Sequence, residues 1–300
     1  MSAKDPLITI ITPTYNRADF ILQAVESVMG QTYGNFEFLI VDDGSTDNTV
    51  ELLEPYLKDE RVRLFQQENQ GQSVARNRGI AEARGQFICF LDSDNAWVRT
   101  KLEISLKAFE EHPEVDIVYG DFITIDGEGH EHGVNRMARY SGRITPQLLR
   151  DNFVSMNTTM TRKRCFDEMG GFDSADRLAE DYGLWLRFST RYQFLYVPVV
   201  LGYYRVMENQ ISSDKESRFR ANEQLVQSFL KAFPSAVTRG EARRGLSYFF
   251  IRKGRYEYSS GQRRQAIRSL LRSLSKDPFW MGPWRFAVKM VLTFSRGRRM

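Results

Sequence analysis

The chain has 300 residues, 42% of them apolar and 27% charged, with a formal net charge of +4. That balance fits an ordinary globular protein and excludes collagen, disorder, a coiled coil and a porin. No run of 18 apolar residues and no charged-then-apolar leader at Met1 occurs, so neither a spanning helix nor a signal peptide is expected; Cys89 and Cys165 lie far apart, form no CxxC pair and fit a reducing compartment.

Leu7 to Thr12 is a short β-branched run and reads as a buried strand, broken by Pro13-Thr14-Tyr15-Asn16-Arg17. Ala18 to Met29 carries Ile21, Val25 and Val28 at helical spacing. Phe36 to Val41 is a second strand; it ends in Asp42-Asp43-Gly44-Ser45 and is followed by a helix from Thr46 to about Tyr56. Val62 to Phe65 is a third strand, Gln72 to Arg84 a helix, and Phe87 to Leu91 a fourth strand. Strand and helix alternating at this spacing predict a doubly wound, mostly parallel α/β sheet. In such sheets ligands bind beyond the carboxyl ends of the strands. Thr12-Pro13-Thr14-Tyr15, Asp42-Asp43 and Asp92-Ser93-Asp94 fall there, at the ends of three strands. The G-x-G-x-x-G fingerprint is missing after the first strand and the Walker pattern is missing too, which argues against dinucleotide oxidoreductases and P-loop phosphotransferases.

Asp92 and Asp94 stand at i and i+2 after an apolar strand, so on an extended segment they share a side. Two such carboxylates suit Mg²⁺ or Mn²⁺ and leave positions open for phosphate and water. Alone, a D-x-D reads as a turn; the strand before it and the two other polar strand ends favour a site.

Ile10 to Arg17, Val41-Asp42-Asp43-Gly44-Ser45-Thr46-Asp47, Ala75-Arg76-Asn77-Arg78-Gly79 and Phe90-Leu91-Asp92-Ser93-Asp94 together resemble family 2 glycosyltransferases of the GT-A fold. Gly170-Gly171-Phe172-Asp173 and Ala179 to Arg187 match the acceptor-side segment of that family, and the resemblance covers Leu7 to Ser213. It implies a Rossmann-like nucleotide-binding half and an inverting transfer from a nucleotide-diphosphate sugar, most simply a UDP-sugar, to a hydroxyl of a glycan or lipid-linked glycan. By the same resemblance Tyr15 stacks on the base, Pro13 shapes that loop, and Asp43 accepts a hydrogen bond from the base. Arg76 lies near the diphosphate, Asp92 approaches ribose and metal, Asp94 is the direct ligand of Mn²⁺ or Mg²⁺, and Asp181 is the catalytic base. A divalent ion stabilises the charge that builds on the leaving diphosphate, and one carboxylate on the opposite face suffices for inversion. Asp181 opens an amphipathic helix, whose terminus favours the anion; the plainer role for Glu180 and Asp181 is to cap that helix. Trp185 reads equally as a platform for a sugar or as core.

Tyr203 to Ser212 departs from the family, which has His where Met207 stands and often uses it to complete the metal site. A thioether binds hard cations poorly, leaving Glu208, Asn209 or water to fill in and Arg205 to contact phosphate. The Q-x-x-R-W pattern of processive members is absent, so a single addition is expected. His130 and His132 read as a solvated hairpin tip, His112 as a helix end, Cys89 as buried and inert.

Residues 1–213 form the expected transferase domain, with about 1–120 binding the nucleotide sugar and about 121–213 the acceptor; residues 214–300 form a basic helical extension. From Lys215 onward there are 20 Lys/Arg against 5 Asp/Glu, a balance of +15, whereas the preceding residues carry −11. Helices are expected over Asn222 to Phe233, Gly245 to Ser259, Gln262 to Ser275 and Phe286 to Phe294. Aromatics beside arginines there, including Arg296, Arg298 and Arg299, suit an anionic membrane surface, and no nucleic-acid motif is present. The chain is thus expected to be cytoplasmic or peripheral on the inner face of the cell membrane. Two other readings compete: a nucleotide-sugar-binding protein of the same fold without transferase activity, and a nucleotidyltransferase of related fold.

Overall fold

The computed structural model describes residues 5–135, 137–175, 178–207 and 214–296. The chain divides into two compact units, Met1–Ile144 with Phe153–Leu225, and Thr145–Asn152 with Val226–Met300. Among the described residues no helix is long and apolar enough to cross a membrane.

Among the described residues the first unit is built on a nine-stranded mixed sheet. Its four leading strands are β1 (Ile8–Thr14), β2 (Phe36–Asp42), β3 (Val62–Gln66) and β4 (Phe87–Phe90), with α1 (Ile21–Met29), α2 (Thr49–Leu53) and α3 (Gln72–Glu82) between them. They run parallel in the order β3-β2-β1-β4. The remaining strands are β5 (Ala96–Trp97), β6 (Ile117–Ile125), β7 (Glu131–Val134), β8 (Met160–Arg162) and β9 (Phe194–Arg205). They continue the sheet as β8-β6-β9-β5, with β7 paired to β6, through antiparallel β4/β8, β6/β8 and β5/β9 pairs and a parallel β6/β9 pair. The helices of this unit after β5 are α4 (Lys101–Glu111), α6 (Arg164–Met169) and α7 (Glu180–Phe188), whereas α5 (Thr145–Leu148) belongs to the second unit.

Three boundaries differ from the sequence expectation, each for a local reason. β1 runs through Pro13 to Thr14 because its β4 neighbour stops at Ile11↔Phe90, so no partner on that side needs the missing N–H. The expected Thr46–Tyr56 helix shortens to α2 and continues as a 3₁₀ turn, Glu54–Lys58, where Pro55 ends the α-type ladder. α1 starts at Ile21 because Arg17 and Ala18 give their N–H groups to Thr49 Oγ1 at 2.9 Å and the Asp47 carboxylate at 3.2 Å.

One apolar layer joins the sheet to its helices: Ile8, Ile10, Phe38, Ile40 and Cys89 from the strands meet Val25, Val28, Leu102 and Phe109 from α1 and α4. Within it Lys101 is fully buried; its ammonium lies 4.0 Å from the centre of the Trp97 ring and donates to Thr159 O at 2.9 Å, and burial pushes its pKa down. Burial also pushes the Cys89 and Cys165 thiols up, so both stay protonated and unreactive. Gly79 lets α3 lie on β1: a Cβ there would come within 2.5 Å of Ile11.

The second unit is helical, with α9 (Arg239–Ser259), α10 (Arg263–Lys276) and α11 (Met281–Arg296); α8 (Lys215–Ala232) spans the division at Leu225. α9 opens with a capping box, Glu241 N–H donating to Thr238 Oγ1 at 3.2 Å and Thr238 N–H to the Glu241 carboxylate at 2.7 Å. Ile251, Leu270 and Phe286 form its apolar centre, and Ser247 and Ser273 pair at 2.8 Å where α9 and α10 cross.

Candidate active site

The parallel half of the sheet delivers its polar loops to one edge, where they are stapled to one another. Asn16, after β1, adopts a left-handed conformation (φ 49°), which asparagine tolerates. Its N–H donates to Ser45 Oγ at 2.9 Å, and its Oδ1 accepts from Thr46 N–H at 2.8 Å. Pro13 is buried within β1, and Tyr15 just beyond it is 43% exposed, a ring available to a planar ligand.

Asp43 is buried and leaves β2 with its N–H bonded to Thr14 O at 2.8 Å. Its carboxylate accepts from Gln67 Nε2 at 2.8 Å, Gln70 N–H at 3.0 Å and Gly71 N–H at 2.7 Å. Asp43 therefore ties the loop after β3 to the start of α3. A carboxylate has about four lone-pair positions, so one remains for a ligand N–H. Gln67 and the Gly71 turn (φ 93°) were not legible as site residues, since nothing local marks them.

Asp92 follows β4, and Arg76 of α3 donates to it at 2.7 Å. The other end of the same guanidinium donates to Glu180 at 3.0 Å, the first residue of α7. Arg76 is 3% exposed, with Phe172 stacked 5.2 Å from its centre. It is thus enclosed between the two carboxylates, and its pKa is raised by both even though burial opposes the charge. Burial is also what raises the Glu180 pKa, against the pull of Arg76. Asp181 is the next residue in the first turn of α7, and its carboxylate accepts from Tyr182 N–H at 2.8 Å.

Asn157, in the 3₁₀ turn Met156–Thr158, grips Asp92 from the other side. Its Oδ1 accepts from Asp92 N–H at 2.8 Å and its Nδ2 donates to the Asp92 carboxylate at 3.1 Å. Nothing in the sequence singles Asn157 out, because its partner lies 65 residues away. Asn77, one residue past Arg76, exchanges two 2.8 Å bonds with the backbone of Phe172, and Arg187 of α7 donates to Met169 O at 2.6 Å and to Gly171 O. The Ala75–Gly79 segment and the Gly170–Asp173 segment are two sides of one brace.

Asp94 keeps a 14% exposed side chain, with Arg17 Nε 3.9 Å away. Burial and the neighbouring Asp92 carboxylate push its pKa up to about 6. The donor set fits a hard divalent ion: carboxylate oxygens two residues apart, one of them held against its own preference for ionisation. Thr14 Oγ1, Asp42 Oδ1 and Arg76 Nε are buried without a hydrogen-bond partner around these strand ends, where most buried polar groups are paired.

Two side chains sit elsewhere than at a ligand. Arg205, expected to be able to reach phosphate, is 2% exposed. Its guanidinium donates to Asp94 O at 2.9 Å, Asp126 O at 2.7 Å, Gly127 O at 2.9 Å and Gln23, and its N–H to Asn95 Oδ1 at 2.7 Å, so it shapes the loop behind Asp94. Trp185 is fully buried against Phe188 and Phe194 and belongs to the core. Met207 is half-buried, whereas Glu208 and Asn209 lie outside the described residues. At the Asp126–Gly127 turn that Arg205 holds, carboxylate and imidazole atoms of Asp126, Glu128 and His130 lie within 4.8 Å of one another, a spacing that could hold a metal ion.

A family model described as glycosyl transferase family 2 matches residues 9–170. An uncharacterized glycosyltransferase of Rickettsia bellii is 35% identical over 188 residues, which is 63% of this chain and 27% of that protein. The chain therefore spans under a third of that relative's length. Among solved structures, Staphylococcus aureus TarS 1-349 in complex with UDP-GlcNAc superposes with a TM-score of 0.65 at 20% identity, covering 90% of this chain and 81% of that one. The mannosyltransferase PcManGT of Pyrobaculum calidifontis, in complex with GDP-Man and Mn²⁺, gives 0.63 at 20% identity over 96% and 81%. At that identity the two structures establish a common GT-A-like fold.

Proposed function

The chain belongs to glycosyltransferase family 2, and from that premise we propose that it moves one sugar from a nucleotide-diphosphate sugar to an acceptor hydroxyl of a glycan or lipid-linked glycan, with inversion and with Mn²⁺ or Mg²⁺. The observation that carries the reading is the Arg76 bridge, which brings Asp92 and the start of α7, with Asp181, to opposite ends of one guanidinium. In this reading residues 1–213 are the transferase domain, about 1–120 holding the donor and about 121–213 the acceptor, and residues 214–300 are a basic helical region.

Tyr15 and Pro13 receive the base, and Asp43 offers its remaining lone pair to a base N–H; uracil N3–H fits that acceptor, which favours a UDP-sugar. Asp94 and Asp92 would hold the cation against the diphosphate. When bound, that cation supplies Lewis-acid stabilisation of the leaving phosphate oxygens. Arg76 is committed to Asp92 and Glu180, so it orients the site rather than touching phosphate directly. Asp181 takes the proton of the attacking hydroxyl, in a helix first turn that stabilises its anion. The Mn²⁺ of PcManGT and the His-carboxylate cluster at Asp126 support a divalent requirement; the choice of ion is open to the assay. The chain would act in the cytoplasm at the inner face of the cell membrane, where lipid-linked acceptors are reached.

The test is a thermal-shift panel of nucleotide sugars with and without Mn²⁺, followed by nucleoside-diphosphate release from any donor that stabilises the protein. One donor should stabilise it in a metal-dependent way, and Asp181→Asn should keep that stabilisation while losing release. Donor binding with no release from the unaltered chain would favour a nucleotide-sugar-binding protein, and pyrophosphate release from a nucleoside triphosphate would favour a nucleotidyltransferase.

A further inference from the structure

The helical unit packs with only part of its apolar surface. α11 turns Phe286, Ala287 and Met290 inward, onto Ile251, Tyr258 and Leu270. Its opposite side is apolar as well: Met281, Trp284, Val288, Val291 and Leu292 recur at three- and four-residue steps and are all exposed, Val291 by 68%. At about 100° per residue these five lie on one stripe, and Arg285 and Lys289 fall along its border. Phe279, two residues before the helix, is 91% exposed, an extreme value for an aromatic side chain. On α10, Ile267 and Leu271 are exposed one turn apart among Arg264, Arg268 and Arg272.

The same unit carries a pocket of about 460 Å³ lined by Phe279, by Arg150, Arg243 and Arg244, and by Glu241 and Asp277. Arg244 pairs with Asp277, and Arg243 Nε donates to Lys276 O at 2.8 Å. Those bonds orient the two guanidiniums, while Arg150 Nε is buried with no hydrogen-bond partner.

We propose that this face of the helical unit is a docking surface for an anionic phospholipid bilayer, with α11 lying in the interface, Phe279 and Trp284 inserted at headgroup depth, and the arginine pocket receiving lipid phosphate. Charge complementarity selects the occupant. An apolar stripe bordered by cations, in a segment of net charge +15, matches a surface that is apolar below and negative above. A second copy of the same face would set like charges against each other. α11 is too short of apolar residues to span, and no described helix qualifies. The proposal is independent of the transferase reading, because lipid binding is measured without donor or metal.

The experiment is flotation of the full chain with vesicles of phosphatidylcholine alone and of phosphatidylcholine mixed with phosphatidylglycerol, with tryptophan emission read on the same samples. Binding to the anionic vesicles is expected, with a blue shift: of the four tryptophans Trp97 and Trp185 are already buried, Trp280 is half-buried against the helical core, and Trp284 is exposed. Trp284→Phe should remove most of the shift and leave flotation in place. The triple change Trp284→Ser, Val291→Ser and Leu292→Ser should weaken binding more than tenfold, because it removes apolar area from the inserted stripe. Arg285→Glu with Lys289→Glu should weaken it about fivefold or more per cation, at about 1 kcal/mol each. All these residues are exposed, and unchanged melting of the variants establishes that they fold. No flotation, equal flotation on neutral and anionic vesicles, or a concentration-dependent dimer abolished by the triple change would each overturn the proposal.

Discussion

Replacing Asp94 by asparagine should make the metal-free protein more stable while removing its metal-dependent chemistry. The Asp94 carboxyl, pushed up to about 6 by burial and by Asp92, titrates near 3.8 in an unfolded chain. Between those values the folded state holds a proton that the unfolded state has lost, so stability falls as pH rises through that window and stays lowered above it. The gap corresponds to about 3 kcal/mol at neutral pH. Asparagine cannot ionise and escapes this cost while keeping the shape of the side chain. For a unit of this size each kcal/mol moves the melting temperature by about 2–4 °C. The assay is calorimetry of both proteins in EDTA, following the transition of the unit that carries Asp94, since two units need not melt together. At pH 7.5 Asp94→Asn should melt several degrees higher, and the difference should fall to about a third near pH 4.5 and vanish only below about 3.8. With Mn²⁺ and donor in excess the order should reverse, because only the carboxylate protein gains ligand stabilisation. A variant that melts at or below the unaltered protein at pH 7.5, or gains equally at both pH values, would contradict a carboxylate held in the fold against its own ionisation.

Arg76→Met should cost about 3–5 kcal/mol in urea unfolding by leaving Asp92 and Glu180 enclosed without a counter-charge. Adding Glu180→Gln to it should recover part of that loss; additive losses would count against the bridge. Asn157→Ala removes both of its bonds to Asp92 and should cost about 1–3 kcal/mol, with weaker donor-induced thermal stabilisation as the functional readout. Gly171→Ala places a methyl against Asn77 Oδ1 and should destabilise by about 1–3 kcal/mol, whereas alanine at Gly127, where nothing lies within 4 Å, should be close to neutral.

The parallel half of the fold was legible because each of its strands is a short, mostly apolar or β-branched run closed by polar residues, and the predicted strands match β1 to β4 within two residues. The other half was not. β5 has two residues and β8 three, too short for any periodicity, and β9 carries Pro198 within twelve residues. Such strands exist because their neighbours in the sheet recruit them, and those partners are distant: β6 is completed by β9, with Ile117 set against Phe194. The extent of β6 and β9 follows from that pairing and from no local pattern.

The same division runs through the site. Asp43, Asp92, Asp94 and Asp181 stand in local motifs and can be nominated one by one. What the sequence withholds is how they are restrained. Arg76 reads as a phosphate ligand while its neighbours are unknown, since an arginine beside a diphosphate site is the simplest expectation. Its partners lie 16 and 104 residues away, and only the folded chain shows both ends of the guanidinium taken by carboxylates. Arg205 is the parallel case at the other side of Asp94, where three backbone carbonyls, those of Asp94, Asp126 and Gly127, accept its N–H groups. Each arginine holds in place a segment that bears a carboxylate of the proposed site. If Asp92 and Asp94 hold a cation, as proposed, their positions are set before it arrives, which lowers the ordering cost of binding. Asp94 retains the unfavourable ionisation that a cation would relieve, so rigidity and electrostatic tension at this edge favour the same event.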